Sequence, residues 1–552
     1  MKTRVRELID QAERAHSRVP LSLYQEIADN FYYERADFTT KRELTEELGS
    51  HVMTGFPAMC RRDLGDTFSG MLRPRSKPWF KTQMLDDRLN EQPRIRQATE
   101  WIDTRMRREM YAPPAKFVRA TKEGDQDFAA FGQAVIEPRM NLANTGLLYR
   151  CHHLRDTAWC ENAELAIDKV YLKWCPSARQ LVQQFPKTAH TRVKDCLRDD
   201  PDKEVQCRRM VLPADDYDSY GVSEEDRRRG PRNGPFVSIY VDVDNEAILE
   251  EVRLWEIPFV IPRWVTIPGR AYAVSPAVNI ALPDARMLQR MALTIIEAGE
   301  KAVDPPLLAT SEVVRSDIQI FPGGVTQIDR EYDERLGEAL RPLPQDYRGL
   351  QFGMEMIQDV REQLMRAFYL NKLNLPQAGP DMTKYEVQER VNEYIRQALP
   401  LFEPVETEYN GGLCNLTFNT MLRAGFFGSM ENLPPELQGQ EIRFAFDSPI
   451  QSATDRAKAI AFQEAGELLA MAAQLDRGAI NRVNIDTALQ DALRGVQAPA
   501  TWVRSDEEVQ DAQEHEQAIM EAAGTAQAVS AGATVAGQVG QAAQQLQAAG
   551  IA

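Results

Sequence analysis

The chain is poor in cysteine and histidine and has no long apolar run. Its 552 residues include 7 cysteines and 6 histidines, and an odd number of scattered thiols does not indicate a disulfide framework. No stretch reaches the roughly 18 consecutive apolar residues that a membrane-spanning helix requires. The charge-rich first residues lack the apolar core of a secretory signal. We therefore expect reduced thiols, synthesis in a reducing cytoplasm and no membrane partner.

An excess of basic residues is also missing. Lys and Arg number 65 against 82 Asp and Glu, which gives a formal net charge of −17. Proteins that hold duplex DNA by its phosphates usually present a basic surface, because counterion release supplies much of their affinity. The composition therefore argues against tight DNA binding. A hydrophobic fraction of 43% is ordinary for a globular chain, and the length suggests roughly two to four domains.

The short motifs of common catalytic sites are absent. The sequence contains no GxxxxGK[ST] phosphate loop, no GxGxxG turn, no GxSxG elbow and no HExxH helix. Six histidines leave little material for a catalytic triad. We therefore predict that the chain is not an enzyme and needs no cofactor or metal.

One acidic string, DVDNE, has two interpretations. Asp242 and Asp244 carry hard carboxylate oxygens of the kind that bind Mg²⁺ for phosphoryl transfer. The string also lies between two strand-like runs, where Asp and Asn are typical of a hairpin turn. The turn is favoured, and a metal-dependent phosphoryl-transfer enzyme centred on Asp242 and Asp244 is the alternative.

Two further groups are weighed in the same way. Cys151, His152, His153, Cys160 and Cys175 are the densest set of zinc-ligand residue types. No CxxC pair occurs among them, which favours ordinary strand residues over a zinc site. The arginines at 227–229 and 232 form a basic cluster, but acidic neighbours favour a solvated surface over a nucleic-acid contact.

The hydrophobic pattern predicts an α+β fold that is predominantly helical. Apolar residues recur at helical spacing through about the first 110 residues. Beyond Pro138, short β-branched and aromatic runs predict strands that form meanders, at 147–151, 166–172, 236–242, 251–255 and 259–267. The charge-dense segment 196–233 is expected to be a surface loop or hairpin excursion.

Two long helices are predicted around a small β module. The first begins at Pro283 and ends at Asp304, before two prolines. The second begins near Tyr347, carries an apolar stripe that includes Phe352, and ends before Pro376. Between them, short alternating runs flank a Pro-Gly-Gly turn, which is typical of a small β element.

The remaining sequence is predicted to be mainly helical. A third long helix starts near Met382 and should be kinked or broken by Pro400. Residues 452–494 are Ala-rich and helical in pattern. Residues 516–552 are low in complexity, and we expect a flexible tail.

One segment carries a family resemblance. Residues 269–309, GRAYAVSPAVNIALPDARMLQRMALTIIEAGEKAVDPPLLA, resemble the head-to-tail connecting (portal) proteins of short-tailed, podovirus-like bacteriophages. In that family a similar opening leads a long helix that ends in Asp-Pro-Pro-Leu, with a Pro-Gly-Gly turn shortly after. Further similar segments are LRPRSKPWF at 72–80, DFAAFGQAVI at 127–136, YLKWCPSARQLVQQF at 171–185, TKYEVQERVNEYIRQALPLF at 383–402 and TWVRSDEEVQ at 501–510. The insert at 196–233 and the C-terminal tail depart from the family pattern.

The resemblance implies a portal architecture and a ring oligomer, expected to be a dodecamer. Its parts would be a wing at 1–282 and 383–445, stem helices at 283–304 and 347–373, a clip at 305–346, a tunnel loop at 374–382, a crown at 446–515 and the tail at 516–552. The Pro and Gly content of 374–382 is typical of a loop independently of the resemblance.

The resemblance also implies function, partners and location. A portal forms a ring-shaped channel at one capsid vertex for packaging and ejection of double-stranded DNA, and performs no covalent chemistry. Its implied partners are the terminase large subunit, tail adaptor and tail tube proteins, major capsid and scaffolding proteins, internal core proteins and the passing DNA. We expect docking through the clip residues Arg315, Asp317, Gln319 and Asp329. The location is the virion, with host cytoplasm during assembly. Another virion ring component, such as a tail adaptor, is the rival interpretation, although adaptors are usually much shorter.

The expected channel residues lie at the end of the second stem helix and in the tunnel loop. They are Lys372, Asn374, Gln377, Asp381 and Lys384. An acidic wall keeps a moving polyanion from adhering, while a few basic positions centre it. The acidity of the chain is therefore compatible with a passage for DNA rather than a clamp.

Overall fold

The fold mixes helices and antiparallel sheets, and helices predominate, as predicted. The computed structural model describes residues 2–40, 49–75, 77–218, 234–309, 340–342, 348–373, 403, 405–428, 441–446, 462–469, 471, 488–489 and 492–493. The chain divides into two compact units. The larger comprises Met1–Trp79, Met106–Phe426 and Ser448–Ile450, and the smaller comprises Phe80–Arg105, Phe427–Asp447 and Gln451–Ala552.

In the N-terminal part the structure describes five α-helices, which confirms its predicted helical character. They are α1 (Lys2–His16), α2 (Leu21–Phe31), α3 (Phe56–Leu72), α4 (Asp87–Glu91) and α5 (Pro93–Met110). An unforeseen strand, β1 (Phe80–Met84), pairs antiparallel with β11 (Ile442–Phe446) in the smaller unit. Its middle buried position is Thr82, whose N–H donates to Asp103 Oδ1 at 3.0 Å. A polar residue at that position hides the alternation that would have predicted the strand.

A five-stranded antiparallel meander forms the main sheet of the larger unit. Its order is β4 (Thr157–Glu161), β5 (Ile167–Trp174), β6 (Cys207–Pro213), β7 (Phe236–Asp242) and β8 (Ala247–Leu254). The strands predicted at 166–172, 236–242 and 251–255 are confirmed within a few residues. The strand predicted at 259–267 is wrong, since that run makes only isolated bridges. Pro262 lies inside it and has no N–H to donate to a ladder.

The prediction of a surface excursion at 196–233 is wrong for its middle. Residues 207–213 form β6, the central strand of the sheet, and Met210, Val211 and Leu212 are buried. The short helix α9 (Ala214–Asp218) follows. Charged residues on both sides of this apolar run conceal it in the sequence. Residues 219–233, including the arginine cluster, lie outside the described part of the chain.

The helix α6 (Phe117–Phe131) passes through the middle of the larger unit. Its Phe128 ring lies 5.7 Å from the Phe68 ring and 5.2 Å from the Trp264 ring, measured between centroids. The helix leads into β2 (Ile136–Met140), which pairs with β3 (Leu147–Cys151), a strand that the sequence predicts to the residue. Two helices, α7 (Ala178–Gln184) and α8 (Thr191–Asp199), pack against the meander.

The first long helix runs from Pro276 to Val303, so its predicted start at Pro283 is wrong. Ser275 caps it by accepting a hydrogen bond from the Val278 N–H, and Pro276 occupies the first turn, where its missing N–H is harmless. Pro283 lies inside the helix on an exposed position, where it removes one backbone hydrogen bond.

The second long helix runs from Arg348 to Ala367 and starts close to the predicted position. It is not continuous to residue 373, because Tyr369 adopts a positive φ of 59° and a separate short helix, Leu370–Leu373, follows. Between the long helices, β9 (Leu307–Ala309) pairs antiparallel with β10 (Leu340–Pro342). These strands are the described part of the predicted β module.

The later elements are described in part. A π-helix at Val405–Asn410 continues into the helix Gly411–Arg423, and residues 462–469 are helical within the region predicted to be so. The predicted helix from Met382 with its Pro400 lies outside the described residues. Among the described helices, none has the length and apolar character needed to cross a bilayer.

The helix α1 lies across the main sheet and buries His16. Glu13 of this helix forms ion pairs with Arg208 at 2.8 Å and Lys173 at 3.3 Å. His16 is only 5% exposed, and its burial, reinforced by the charge of Lys173, lowers its pKa to about 4. Glu13 and Asp156 favour the charged imidazole, while Arg208 disfavours it. His16 is therefore neutral in the folded protein at neutral pH.

Acidification should loosen α1 through His16. The folded pKa is lower than the ordinary value of 6.5, so the unfolded chain takes up the proton first and stability falls as pH drops from about 6.5 to about 4. We expect a loss of about 2 kcal/mol between pH 7.5 and pH 5 that His16→Leu does not show. Urea unfolding of both proteins at the two pH values measures it. An equal pH dependence in the two proteins would contradict the role of His16.

Candidate functional site

The two long helices pack side by side and form what we call the helical hairpin, residues Pro276–Val303 and Arg348–Ala367. Gly353 permits the close approach, since a Cβ there would lie 3.1 Å from Ile295 Cδ1. Beyond the helices, β9 and β10 pair antiparallel. The chain therefore leaves along one helix and returns along the other.

Small and apolar residues bury one end of the hairpin, which we call its base. On the first long helix, Ala281, Ala285 and Leu288 are fully buried. On the second, Leu364 is fully buried, and the Phe368 ring just beyond it lies 5.5 Å from the Phe31 ring of α2. The base is thus part of the core of the larger unit, which fixes the direction of the hairpin.

Gln289 adds a polar anchor that the sequence gives no signal for. Its Oε1 accepts hydrogen bonds from the backbone N–H groups of Met53 and Thr54 at 2.8 and 3.0 Å. Its Nε2 donates to the Thr54 carbonyl at 2.9 Å. One side chain therefore satisfies three backbone groups of the loop before α3. Arg286 forms an ion pair with Glu26 of α2 nearby.

The outer part of the hairpin leaves apolar side chains exposed on both helices. Val303 is 89% exposed, Phe352 is 65% exposed and Ile296 is 46% exposed. Phe352 shares its predicted apolar stripe with Val360, Leu364 and Phe368, but it is exposed whereas those three are buried. Apolar residues collected on one protruding element are typical of a surface that contacts another protein.

Charged residues are buried inside the larger unit next to the hairpin. Three consecutive residues of α6, Asp125, Gln126 and Asp127, each bind an arginine from another part of the chain: Arg73, Arg61 and Arg35 in that order. Arg73 also donates to Asn410 Oδ1 of the π-helix at 2.9 Å. Asp125 and Asp127 are fully buried. The pairs tie α6 to the segments around it.

The residues weighed as zinc ligands are engaged elsewhere. His152 Nε2 lies 3.1 Å from Glu137 Oε2, and His153 Nε2 lies 2.8 Å from Asp37 Oδ1. Burial alone would raise the pKa of Glu137, but Arg209 and His152 hold it well below its usual range. All seven cysteines are free thiols. Within the described ranges, no group of three or more ligand side chains could hold a metal ion. Cys151 and Cys160 lie in β3 and β4, whereas His152, His153 and Cys175 lie in the connections between strands.

Asp242 and Asp244 occupy a turn, as favoured. Asp242 ends β7, is fully buried, and accepts hydrogen bonds from the Asn245 N–H at 3.1 Å and the Asn245 side-chain amide at 2.7 Å. Asp244 points to the exposed side of the same turn. A carboxylate that caps its own hairpin has no open position for a substrate-bound Mg²⁺. The geometry therefore gives no support to a phosphoryl-transfer site at this turn.

Most of the predicted channel and clip residues lie outside the described part of the chain. Lys372 belongs to the short helix Leu370–Leu373. Asn374, Gln377, Asp381 and Lys384 are not among the described residues, and neither are Arg315, Asp317, Gln319 and Asp329. Their roles stay predictions.

Known proteins match most of the chain. The model of the family described as "Bacteriophage head to tail connecting protein" matches residues 2–503. The "Probable portal protein" of Bordetella phage BPP-1 is 25% identical over 449 residues, or 78% of this chain and 76% of that protein. The "Portal protein" of Salmonella phage epsilon15 is 22% identical over 446 residues, with the same coverage.

A solved structure also matches, but weakly. A chain from the "Virion of native gene transfer agent (GTA) particle" covers 74% of this chain and 85% of its own, at 9% identity and a TM-score of 0.32. A likeness of that size does not define a fold. The family model, which spans well over half of the sequence, shows that this chain belongs to the bacteriophage head-to-tail connecting protein family.

Proposed function

We propose that this chain is the subunit of a phage portal, a ring at one capsid vertex through which double-stranded DNA is packaged and ejected. The observation that carries the proposal is the family match over residues 2–503, together with two relatives named as portal proteins. The family is one of structural proteins, which confirms the prediction that the chain is a virion component and not an enzyme.

The helical hairpin supplies a surface through which neighbouring subunits of such a ring can contact each other. Its base is fixed in the core by Leu288, Leu364 and Phe368, while its outer half exposes Ile296 and Phe352. An exposed apolar helix is stabilised when another subunit covers it, because burial of apolar surface contributes about 25 cal/mol per Å². Copies arranged in a ring cover these side chains on each other. The hairpin accordingly serves as the stem.

The other parts follow the order of the sequence. The wing comprises 1–282 and 383–445, the clip 305–346, the tunnel loop 374–382, the crown 446–515 and the tail 516–552. Support comes from the β9–β10 pair at the outer end of the hairpin, where a clip would begin. The positive φ of Tyr369 ends the second long helix shortly before the tunnel loop. The subunit number is proposed to be twelve.

Portals join capsid and tail components, and we extend this to specific partners. The clip would dock the terminase large subunit during packaging and tail adaptor or tail tube proteins later, through Arg315, Asp317, Gln319 and Asp329. The wing and crown would contact major capsid, scaffolding and internal core proteins. The ring would assemble in the host cytoplasm and remain at the capsid vertex.

DNA would pass through the channel without being bound tightly. A formal charge of −17 on every subunit makes the ring strongly acidic, so the wall repels a polyanion. Lys372, Asn374, Gln377, Asp381 and Lys384 are proposed to line the narrow part, where two lysines centre the duplex. Bulk affinity for DNA should therefore be low at physiological salt.

Electron cryo-microscopy of the purified protein tests the proposal. We expect closed rings with a central hole at least about 20 Å wide, because the hole must admit the full diameter of a B-DNA duplex. The map also shows whether Lys372 to Lys384 face the lumen. A protein that stays monomeric under all conditions would rule out the portal, and a short ring lacking a stem would favour a tail adaptor.

A further inference from the structure

Toward the base of the hairpin, the two long helices expose side chains of opposite charge. Arg286 and Arg290 lie four residues apart on the first helix, and both are exposed. Glu355, Asp359 and Glu362 lie on one face of the second helix at spacings of four and three, and all are exposed. Residues at these spacings stand above one another on a helix surface. At this level the first helix therefore exposes basic side chains and the second exposes acidic ones, while Arg361 of the second helix lies over the Phe56 ring at 5.4 Å and the glutamates of the first helix, Glu297 and Glu300, lie farther out.

These charges lie at the same height along the hairpin. The contact between Ile295 and Gly353 marks one level at which the two antiparallel helices meet. Arg290 precedes Ile295 by five residues and Asp359 follows Gly353 by six, which places them about 7.5 and 9 Å from that level in the same direction. Arg286 and Glu362 are displaced equally, by nine residues each.

Both faces point away from the core. Arg290 is two positions from the buried Leu288, and Glu362 is two positions from the buried Val360. Two positions correspond to about 200° around a helix, so these side chains lie nearly opposite the buried ones. A neighbouring molecule can therefore reach both charged faces.

Three of these charges lack an ion-pair partner among the residues that the structure describes. Arg286 binds Glu26, and Glu362 lies 3.9 Å from Arg366. No ion pair is formed by Arg290, Glu355 or Asp359 with any residue that the structure describes. Apolar neighbours flank them, since Leu293 is 39% exposed beside Arg290 and Met356 is 38% exposed beside Glu355 and Asp359. Apolar contacts around a charge pair exclude water and strengthen it.

We propose that the first long helix of one copy docks against the second long helix of the next copy, with Arg290 paired to Asp359 and Glu355. In a cyclic ring, one side of each subunit meets the opposite side of its neighbour. Charges at equal height then meet without a shift along the ring axis. The acidic face repels DNA, so a second copy is the partner that fits both faces. The inference rests on the proposed ring.

Charge reversal with rescue tests this pairing. Arg290→Glu and Asp359→Arg should each raise the subunit concentration for half-maximal ring assembly by at least about tenfold. The double variant R290E/D359R restores the pair with its sign exchanged but leaves Glu355 facing the glutamate introduced at position 290, so it should recover most of the loss in assembly rather than all of it. Mass photometry across a dilution series measures all three. Arg119→Glu, on the exposed face of α6 and ion-paired with Glu123 alone among the described residues, is the control and should leave assembly unchanged.

The possible outcomes distinguish failure of the Arg290–Asp359 pairing from failure of the portal proposal. Normal rings from R290E, or failure of the double variant when both single variants disassemble, would overturn the pairing and leave the portal proposal intact. Intact R290E rings that lose DNA would also overturn it, since Arg290 would then face the channel. A lack of rings in the unchanged protein would instead remove the portal proposal. Circular dichroism of each variant shows that loss of rings is not loss of fold.

Discussion

Arg73→Met should lower the free energy of unfolding by about 3–5 kcal/mol, since it leaves the buried Asp125 carboxylate without a counter-charge. Both side chains are almost inaccessible, at 2% and 0% exposure. Water cannot replace the lost guanidinium there, and Asn410 Oδ1 loses its donor as well. The Arg73 guanidinium also lies 4.7 Å from the centre of the Tyr409 ring, and this contact is lost too. Urea or thermal unfolding measures the effect.

The matched variants show whether the unpaired charge is the cause. Arg119→Met breaks an exposed ion pair with Glu123 and should change stability by no more than about 1 kcal/mol. The double variant R73M/D125L removes both charges and should recover much of the loss, because a buried pair replaced by apolar groups is often neutral. If R73M/D125L were no more stable than R73M, lost packing rather than an uncompensated charge would explain the result.

This buried pair could not be predicted from sequence, whereas several neighbouring elements could. The strands β3 and β7 are correct to the residue because branched and aromatic residues stand between clear turn signals. Asp125 and Asp127, by contrast, follow Gly124 in a segment that looks like a solvated helix face. Only the fold brings Arg73 and Arg35 to them, from 52 and 92 residues away.

The errors share a physical origin. The strand β6 was concealed because the charges beside its apolar run are satisfied by distant partners, as Arg209 is by Glu137. The first long helix extends before Pro283 because the Ser275 cap and the packing of Ala281 and Ala285 outweigh one missing hydrogen bond. In both cases tertiary contacts override a local signal.

The sequence predicted the two long helices and the insert between them. It did not predict which of their side chains lie together on the exposed surface of the helical hairpin. Sequence spacing places Arg290 and Asp359 on helices, yet their equal height depends on the contact between Ile295 and Gly353. The spacing of Phe352 places it on the same apolar stripe as Val360 and Leu364. Its exposure shows that an apolar stripe can continue from the core onto an exposed surface with no change of pattern.

Gly132→Ala should displace the start of the first long helix and cost about 2–5 kcal/mol of stability. Gly132 ends α6 at a positive φ of 73°, and its carbonyl accepts a hydrogen bond from the Trp264 N–H at 2.8 Å. A Cβ at this position would overlap the backbone of Val274 and Ser275. Those are backbone atoms, so no rotamer change can relieve the overlap. Ser275 would have to move, and with it the cap that starts the hairpin.

Gly269→Ala separates this overlap from backbone strain alone. Gly269 has a similar positive φ of 84°, but a Cβ there would meet no atom within 4 Å. Its replacement should therefore cost only the left-handed penalty of about 1–2 kcal/mol and leave ring assembly unchanged. Thermal unfolding compares the two variants, and mass photometry reports whether each forms rings. Equal losses of stability would mean that Val274 and Ser275 can yield, and that the close packing of Gly132 does not set the direction of the hairpin. A larger loss in Gly132→Ala, with fewer rings, would tie the end of α6 to the surface on which subunits meet.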